Sequence, residues 1–270
     1  MPTTYAHYKL GREVRKKVSA QVSAIIEEYP GLFQIGLHGP DTLFYYKALS
    51  KNKVNSIGYH LHELSGKDFF EKAAVVIKEA KYEKAHLSYA LGFLCHFALD
   101  VTCHGWVNSQ VKAKIADHLE IEAELDRELL IRDGKNPETA ILTGHLKSTE
   151  KNARVISDFF PELSVKEIEK SISDMIFYLN ILVAKGPIKR KLLYTTLKLA
   201  GKYETYKGLI INKEKNKQCE ACTNRLLELF EDGKELAVRL LDEYVDYIYG
   251  IKSLDPVYNY NFDAILSEEK

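Results

Sequence analysis

The chain has 270 residues, with 38 Lys and Arg against 38 Asp and Glu, so its formal net charge is zero. That balance excludes the global attraction on which a general binder of nucleic acid or of an acidic partner depends. A hydrophobic content of 46%, with seven prolines and fifteen glycines, fits a globular and mostly helical chain long enough to bury a sizeable core. The opening "MPTTYAHYKLGREVRKK" has no apolar h-region. No stretch approaches the roughly 20 uncharged residues of a transmembrane helix. The expected compartment is therefore the cytoplasm, with Cys95, Cys103, Cys219 and Cys222 as reduced thiols.

Residues 8–28 carry Val14, Val18, Val22, Ile25 and Ile26 at helical spacing, and Pro30 stops the pattern. Residues 31–60 read as loop, from "GLHGPD" to "KNKVNSIG". A helix starts near Lys67, a more apolar one covers 84–107, and another covers 110–132 and ends before "DGKNP". Amphipathic helices follow over 139–159, 164–185, 188–202 and 217–249. "CEAC" at 219–222 has no second such pair and reads as two ordinary thiols on a helix. There is no period-2 strand, no repeat and no low-complexity tract. The expectation is one all-α domain over 1–270: chemistry-bearing motifs in 1–130, a helical remainder in 139–249 and an irregular tail in 250–270.

The chemistry gathers in "FLCHFALDVTCH", which spaces His96, Asp100 and His104 four residues apart. At 100° per residue such positions drift only about 40° per step, so they form one stripe with side chains roughly 6 Å apart. The helix is apolar nearly all round and belongs in the interior, where imidazoles and a carboxylate are costly unless paired. The next helix repeats the spacing with His118 and Glu122 in "DHLEIE". This is the way helical bundles build polynuclear metal sites, with Asp100 as the natural bridge between two cations. Glu120 and Glu124 fall off that stripe and read as solvated. "GLHGPD" adds His38 and Asp41 in a Gly-Pro turn, "HLH" adds His60 and His62, and His7 stands beside the first helix. Eight of the nine histidines precede residue 119, which scattered surface histidines would not do.

Together "MPTTYAHY", "GLHGPDTLFYY", "HLHELSGKDFF", "GFLCHFALDVTCH" and "HLEIEAELDRELL" resemble the bacterial zinc-dependent phospholipase C family over roughly the first 130 residues. More distantly they are similar to the trinuclear-zinc nucleases of that fold. The resemblance implies two to three zinc ions. Asp41, His62, His96 and Asp100 would hold one. His104, His118 and Glu122 would hold a second, and His7 and Asp100 would share a third. It puts His38 behind the ligands, orienting the turn. His86 is expected in core or surface and His145 in solvent. The secreted relatives chelate the third zinc with an amino-terminal tryptophan. The only tryptophan here is Trp106; either the Pro2 amine substitutes for it once Met1 is removed, or "MPTTYA" is a frayed end and His7 caps or packs on the first helix.

The implied chemistry is attack of activated water on a phosphodiester, with Asp41 as its acid–base group. Phe44, Tyr45 and Tyr46 either wall the pocket and receive a cationic head group or pack their loop onto the bundle. The reading is a phospholipase C-like hydrolase acting on a phospholipid or other phosphodiester. A nuclease or nucleotide phosphoesterase on the same site stands as the alternative, as does a non-catalytic metal- or lipid-binding protein. No nucleic-acid partner is expected unless that alternative holds. A last feature is the segment 185–217. It carries Lys185, Lys189, Arg190, Lys191, Lys198, Lys202, Lys207, Lys213, Lys215 and Lys217 against Glu204 and Glu214. It reads as a solvated basic face or a weak contact with an anionic membrane surface.

Overall fold

The computed structural model describes residues 4–267, apart from the side chain of Thr205. In chain order the helices are α1 (Thr4–Val14), α2 (Ala20–Glu28), α3 (Pro30–Gly36), a 3-10 helix over Gly39–Tyr45, α4 (Lys53–Glu63), α5 (Gly66–Glu79), α6 (Glu83–Lys112) and α7 (His118–Arg132). Then come α8 (Glu150–Ser157), α9 (Val165–Leu182), α10 (Gly186–Leu199), α11 (Tyr203–Tyr206) and α12 (Glu220–Ile248), with short 3-10 turns around them. Among the described residues β pairing is confined to two isolated bridges, Ser65 with Asn261 and Tyr260 with Leu266. The fold is all-α, as expected.

Side-chain caps place several of these starts. Ser65 and Asp68 form a capping box at α5, Ser164 and Glu167 at α9, and Asn52 and Asn55 a similar reciprocal pair at α4. The structure corrects the coarse reading where a start was hidden. The 8–28 run is two helices, because the Ser19 hydroxyl accepts from the Val22 N–H and starts α2. Pro30 opens α3 rather than ending its predecessor, a position where the missing N–H costs nothing. Residues 31–60 hold α3, the 3-10 helix and α4 rather than loop. Of 139–159 only α8 is helical, started by Thr149. The 110–132 helix begins at His118, after Lys114 at φ +57° breaks the chain.

Helix α6 is buried on all sides over residues 85–100 and forms the axis, with α3, α5 and α12 packed on it. It is long and apolar enough to cross a membrane, but 78% of that stretch is buried inside the protein, as befits a core helix. The approach of α3 needs glycine: a Cβ on Gly92 would lie 2.1 Å from the Phe33 carbonyl oxygen. The tail is irregular yet anchored. Tyr258 and Phe262 are buried, and the Gly66 N–H donates to the Tyr260 carbonyl. Cys219 and Cys222 are free buried thiols at the start of α12.

Candidate metal centre

The α6 stripe forms as its spacing requires, and His96, Asp100 and His104 are all buried. Four other elements bring their side chains to it. Helix α1 supplies His7, the 3-10 helix Asp41, α4 His62, and α7 His118 and Glu122. The 3-10 turn comes this close only because Gly39 sits at φ +47° against His96. A Cβ there would meet the imidazole at 2.4 Å.

Asp100 occupies the middle. Its Oδ1 lies 3.3 Å from His7 Nε2 and 3.9 Å from His104 Nε2. Its Oδ2 lies 3.0 Å from His96 Nε2 and 4.0 Å from His62 Nε2. His62 Nε2 is also 3.1 Å from Asp41 Oδ1. On the far side Glu122 Oε1 lies 3.2 Å from His104 Nε2 and 3.0 Å from His118 Nε2. Ligand atoms within 4.8 Å of one another make three groups: His7, His96 and Asp100; Asp41, His62 and His96; His104, His118 and Glu122. The last is the expected set. The other two differ from expectation: His96, whose ring stacks on His7 at 4.1 Å, belongs to both, and Asp100 groups with His7 and His96 but not with Asp41 and His62.

Carbonyls set the tautomers. His62 Nδ1 donates to Gly58 (2.9 Å), His96 Nδ1 to Leu37 (3.3 Å) and His104 Nδ1 to Phe262 (2.6 Å). A carbonyl can only accept, so each ring carries a proton on Nδ1 and turns Nε2 inward. His7 Nε2, His62 Nε2, His96 Nε2, Asp100 Oδ2 and Glu122 Oε2 are buried without an aligned hydrogen-bond partner. Five such polar atoms in one interior would each cost on the order of 1–3 kcal/mol if nothing bound them. Three N/O ligands per position is zinc chemistry, so the residues fit the ion.

Electrostatics within the fold agree. Burial pushes His7 down to about 4, helped by His96, which keeps the ring neutral near pH 7. Burial alone would raise Asp41 and Asp100, but nearby positive charge, that of His96 included at both, outweighs it and holds both carboxylates ionised. Burial opposes a charge on His104, yet Asp100 and Glu122 prevail and raise it to about 9.

Other expected residues go elsewhere. His38 turns away from the ligands and meets His145 Nε2 to Nε2 at 2.7 Å. His145 is therefore not solvated: the 139–149 loop folds back and stacks it on Tyr8 at 4.0 Å. Glu124 is buried against Arg127, and Glu120 accepts from Asn216, so neither is simply solvated. His86 is buried and bonds Asp158 at 2.8 Å, and His60 is exposed beside Glu63. Phe44 stacks on His62 at 5.1 Å and on Tyr59 at 4.4 Å. Tyr45 is buried in the core rather than lining an open wall, and Tyr46 lies half-buried under the Lys47 ammonium. The Pro2 amine lies outside the described residues.

Sequence reasoning missed the three carbonyl acceptors and Asp126. Asp126 is buried on α7, and its oxygens accept from the Tyr5 and Ala6 N–H groups at 2.9 and 2.8 Å. It thus caps α1 from another helix and sets the height of His7. No curated protein and no solved structure matches the chain. The family model described as zinc dependent phospholipase C matches residues 6–176, a stretch holding all eight converging side chains. By that match the chain belongs to the zinc-dependent phospholipase C family.

Proposed function

We propose that the protein hydrolyses a phosphodiester of the phospholipid head-group class through two to three zinc ions held by His7, Asp41, His62, His96, Asp100, His104, His118 and Glu122. Family membership supports zinc and a phosphoesterase reaction. The observation that carries the finer reading is Asp100, a buried carboxylate with two imidazole nitrogens facing each oxygen. Zinc at such positions supplies Lewis acidity toward phosphoryl oxygens and makes water a nucleophile near neutral pH.

The chain's own groups have the remaining work. Asp41 stays ionised and accepts a hydrogen bond from the attacking water, fixing its direction. His62, Phe44 and Tyr59 form a continuous ring stack from the interior to the surface. Its aromatic faces suit a cationic choline-type group. His118 is the most exposed of the eight ligands, at 28% of its side chain, and marks the edge where substrate enters. We place the activity in the cytoplasm, where the four buried cysteines would stay free thiols.

The test is a metal count on the purified protein, followed by three substrates: a chromogenic phosphodiester, short-chain phosphatidylcholine and single-stranded nucleic acid. Bound zinc with turnover of the first two supports the reading. Preference for nucleic acid would make the protein a nuclease. Zinc without turnover of any substrate would make it a binding protein.

A further inference from the structure

Helix α10 is built inside out. None of its residues is buried. Ile188, Leu192 and Leu199 are 85%, 64% and 85% exposed. At 100° per residue these three fall within about 40° of one another, so they form a single outward apolar ridge. Lys191 and Lys198 run along one side of that ridge and Lys189 along the other. The inner side is held otherwise. Arg190 donates to the Ile211 carbonyl and to Asn212, while Leu193, Tyr194 and Leu197 are half-buried. An ordinary surface helix turns its apolar stripe to the core and its lysines to water. This one presents apolar side chains flanked by lysines to the outside, the pattern of a helix lying in a bilayer interface.

The helix also has a fixed relation to the metal centre. The segment that follows it packs on the start of α7: a Cβ on Gly208 would lie 2.9 Å from the Glu120 nitrogen, and Lys207 Nζ is 3.7 Å from Asp117. His118, the solvent-reaching ligand, begins that same α7.

We propose that α10 docks the protein on an anionic lipid surface, with Ile188, Leu192 and Leu199 inserted among acyl chains and the flanking lysines against the headgroups. The basic flank argues for anionic lipid, in a chain of zero net charge. The apolar ridge argues against nucleic acid, which offers it nothing to enter. The proposal rests on the lipid-phosphodiester reading only for its purpose, presenting His118 to substrate.

The experiment is co-sedimentation of the zinc-loaded protein with vesicles of phosphatidylcholine alone and of phosphatidylcholine with phosphatidylglycerol, at low and high salt. The Ile188→Glu, Leu192→Glu double variant is run beside it. Both substituted side chains face solvent, so the fold and the turnover of a soluble phosphodiester are expected unchanged. The expected result is salt-sensitive binding to the anionic vesicles, reduced roughly tenfold or more in the variant. Absence of wild-type binding, equal binding by the variant, or self-association abolished by the variant would each overturn docking. Binding without turnover of any phosphodiester leaves docking standing and removes the proposed activity. Turnover without vesicle binding does the reverse.

Discussion

Asp100 is the residue on which the most depends, because removing one acceptor from it disturbs four histidines at once. Asp100→Asn turns one oxygen into a donor facing imidazole nitrogens. It is expected to lower zinc content and to destabilise the protein on the scale of a broken buried ion pair, about 3–5 kcal/mol. Metal analysis and thermal unfolding read both, and wild-type values of both would remove Asp100 from the centre. Asp41→Asn should instead keep the helical content and reduce kcat by about 10²- to 10⁴-fold, the range of a positioned acid–base group. An unchanged kcat would mean that Asp41 only shapes its turn. The stripe of His96, Asp100 and His104 was legible because i, i+4 spacing on an apolar helix has few other uses. The Leu37, Gly58 and Phe262 acceptors were not, since every residue has a carbonyl and only the fold decides which one meets a ring nitrogen. Phe44 and Tyr45 are neighbours of the same chemistry, yet one stacks on a ligand and the other is buried in the core. That choice is made by the 3-10 helix, whose backbone needs Gly39.

At the scale of elements, local caps could be read and distant ones could not. Ser65 with Asp68 marks α5 within four residues of sequence. The first turn of α1 is capped by Asp126, 121 residues away from Tyr5, and nothing local announces it. Asp126→Asn keeps one acceptor and sets an N–H against an N–H. One buried backbone donor is left unpaired, at a cost of roughly 1–3 kcal/mol. Because His7 directly follows Ala6 in that capped first turn, zinc stoichiometry should fall with stability while the ligands of α6 and α7 keep theirs. Reduced unfolding temperature with full zinc occupancy would show that α1 finds its height without this cap. The helices of residues 31–60 escaped notice for a related reason. They are short, and they are held by packing, α3 and the 3-10 helix on α6 and α4 on the 3-10 helix, rather than by a periodic pattern of their own.

The whole molecule couples metal to protons. An ordinary histidine titrates near 6.5, and His104 in the metal-free fold near 9, because Asp100 and Glu122 outweigh its burial. Its ion pairs therefore stabilise the metal-free fold fully below about 6.5 and are lost as pH rises through about 9. Zinc must displace that proton, so its affinity rises with pH over the same window. Adding zinc to chelator-stripped protein at pH 7 in weak buffer is expected to release protons, and an indicator dye reads them. No release, or no loss of stability in stripped protein between pH 6.5 and 9, would contradict that account of His104. The bond from His104 to the Phe262 carbonyl spans 158 residues, and this has a consequence for synthesis. As the chain emerges from the ribosome, α6 carries its imidazoles long before residue 262 exists. Until then His104 is free to hold its proton on either nitrogen. The centre thus cannot take its final geometry as α6 emerges: that geometry waits for a segment made 158 residues after His104, and correct loading waits with it.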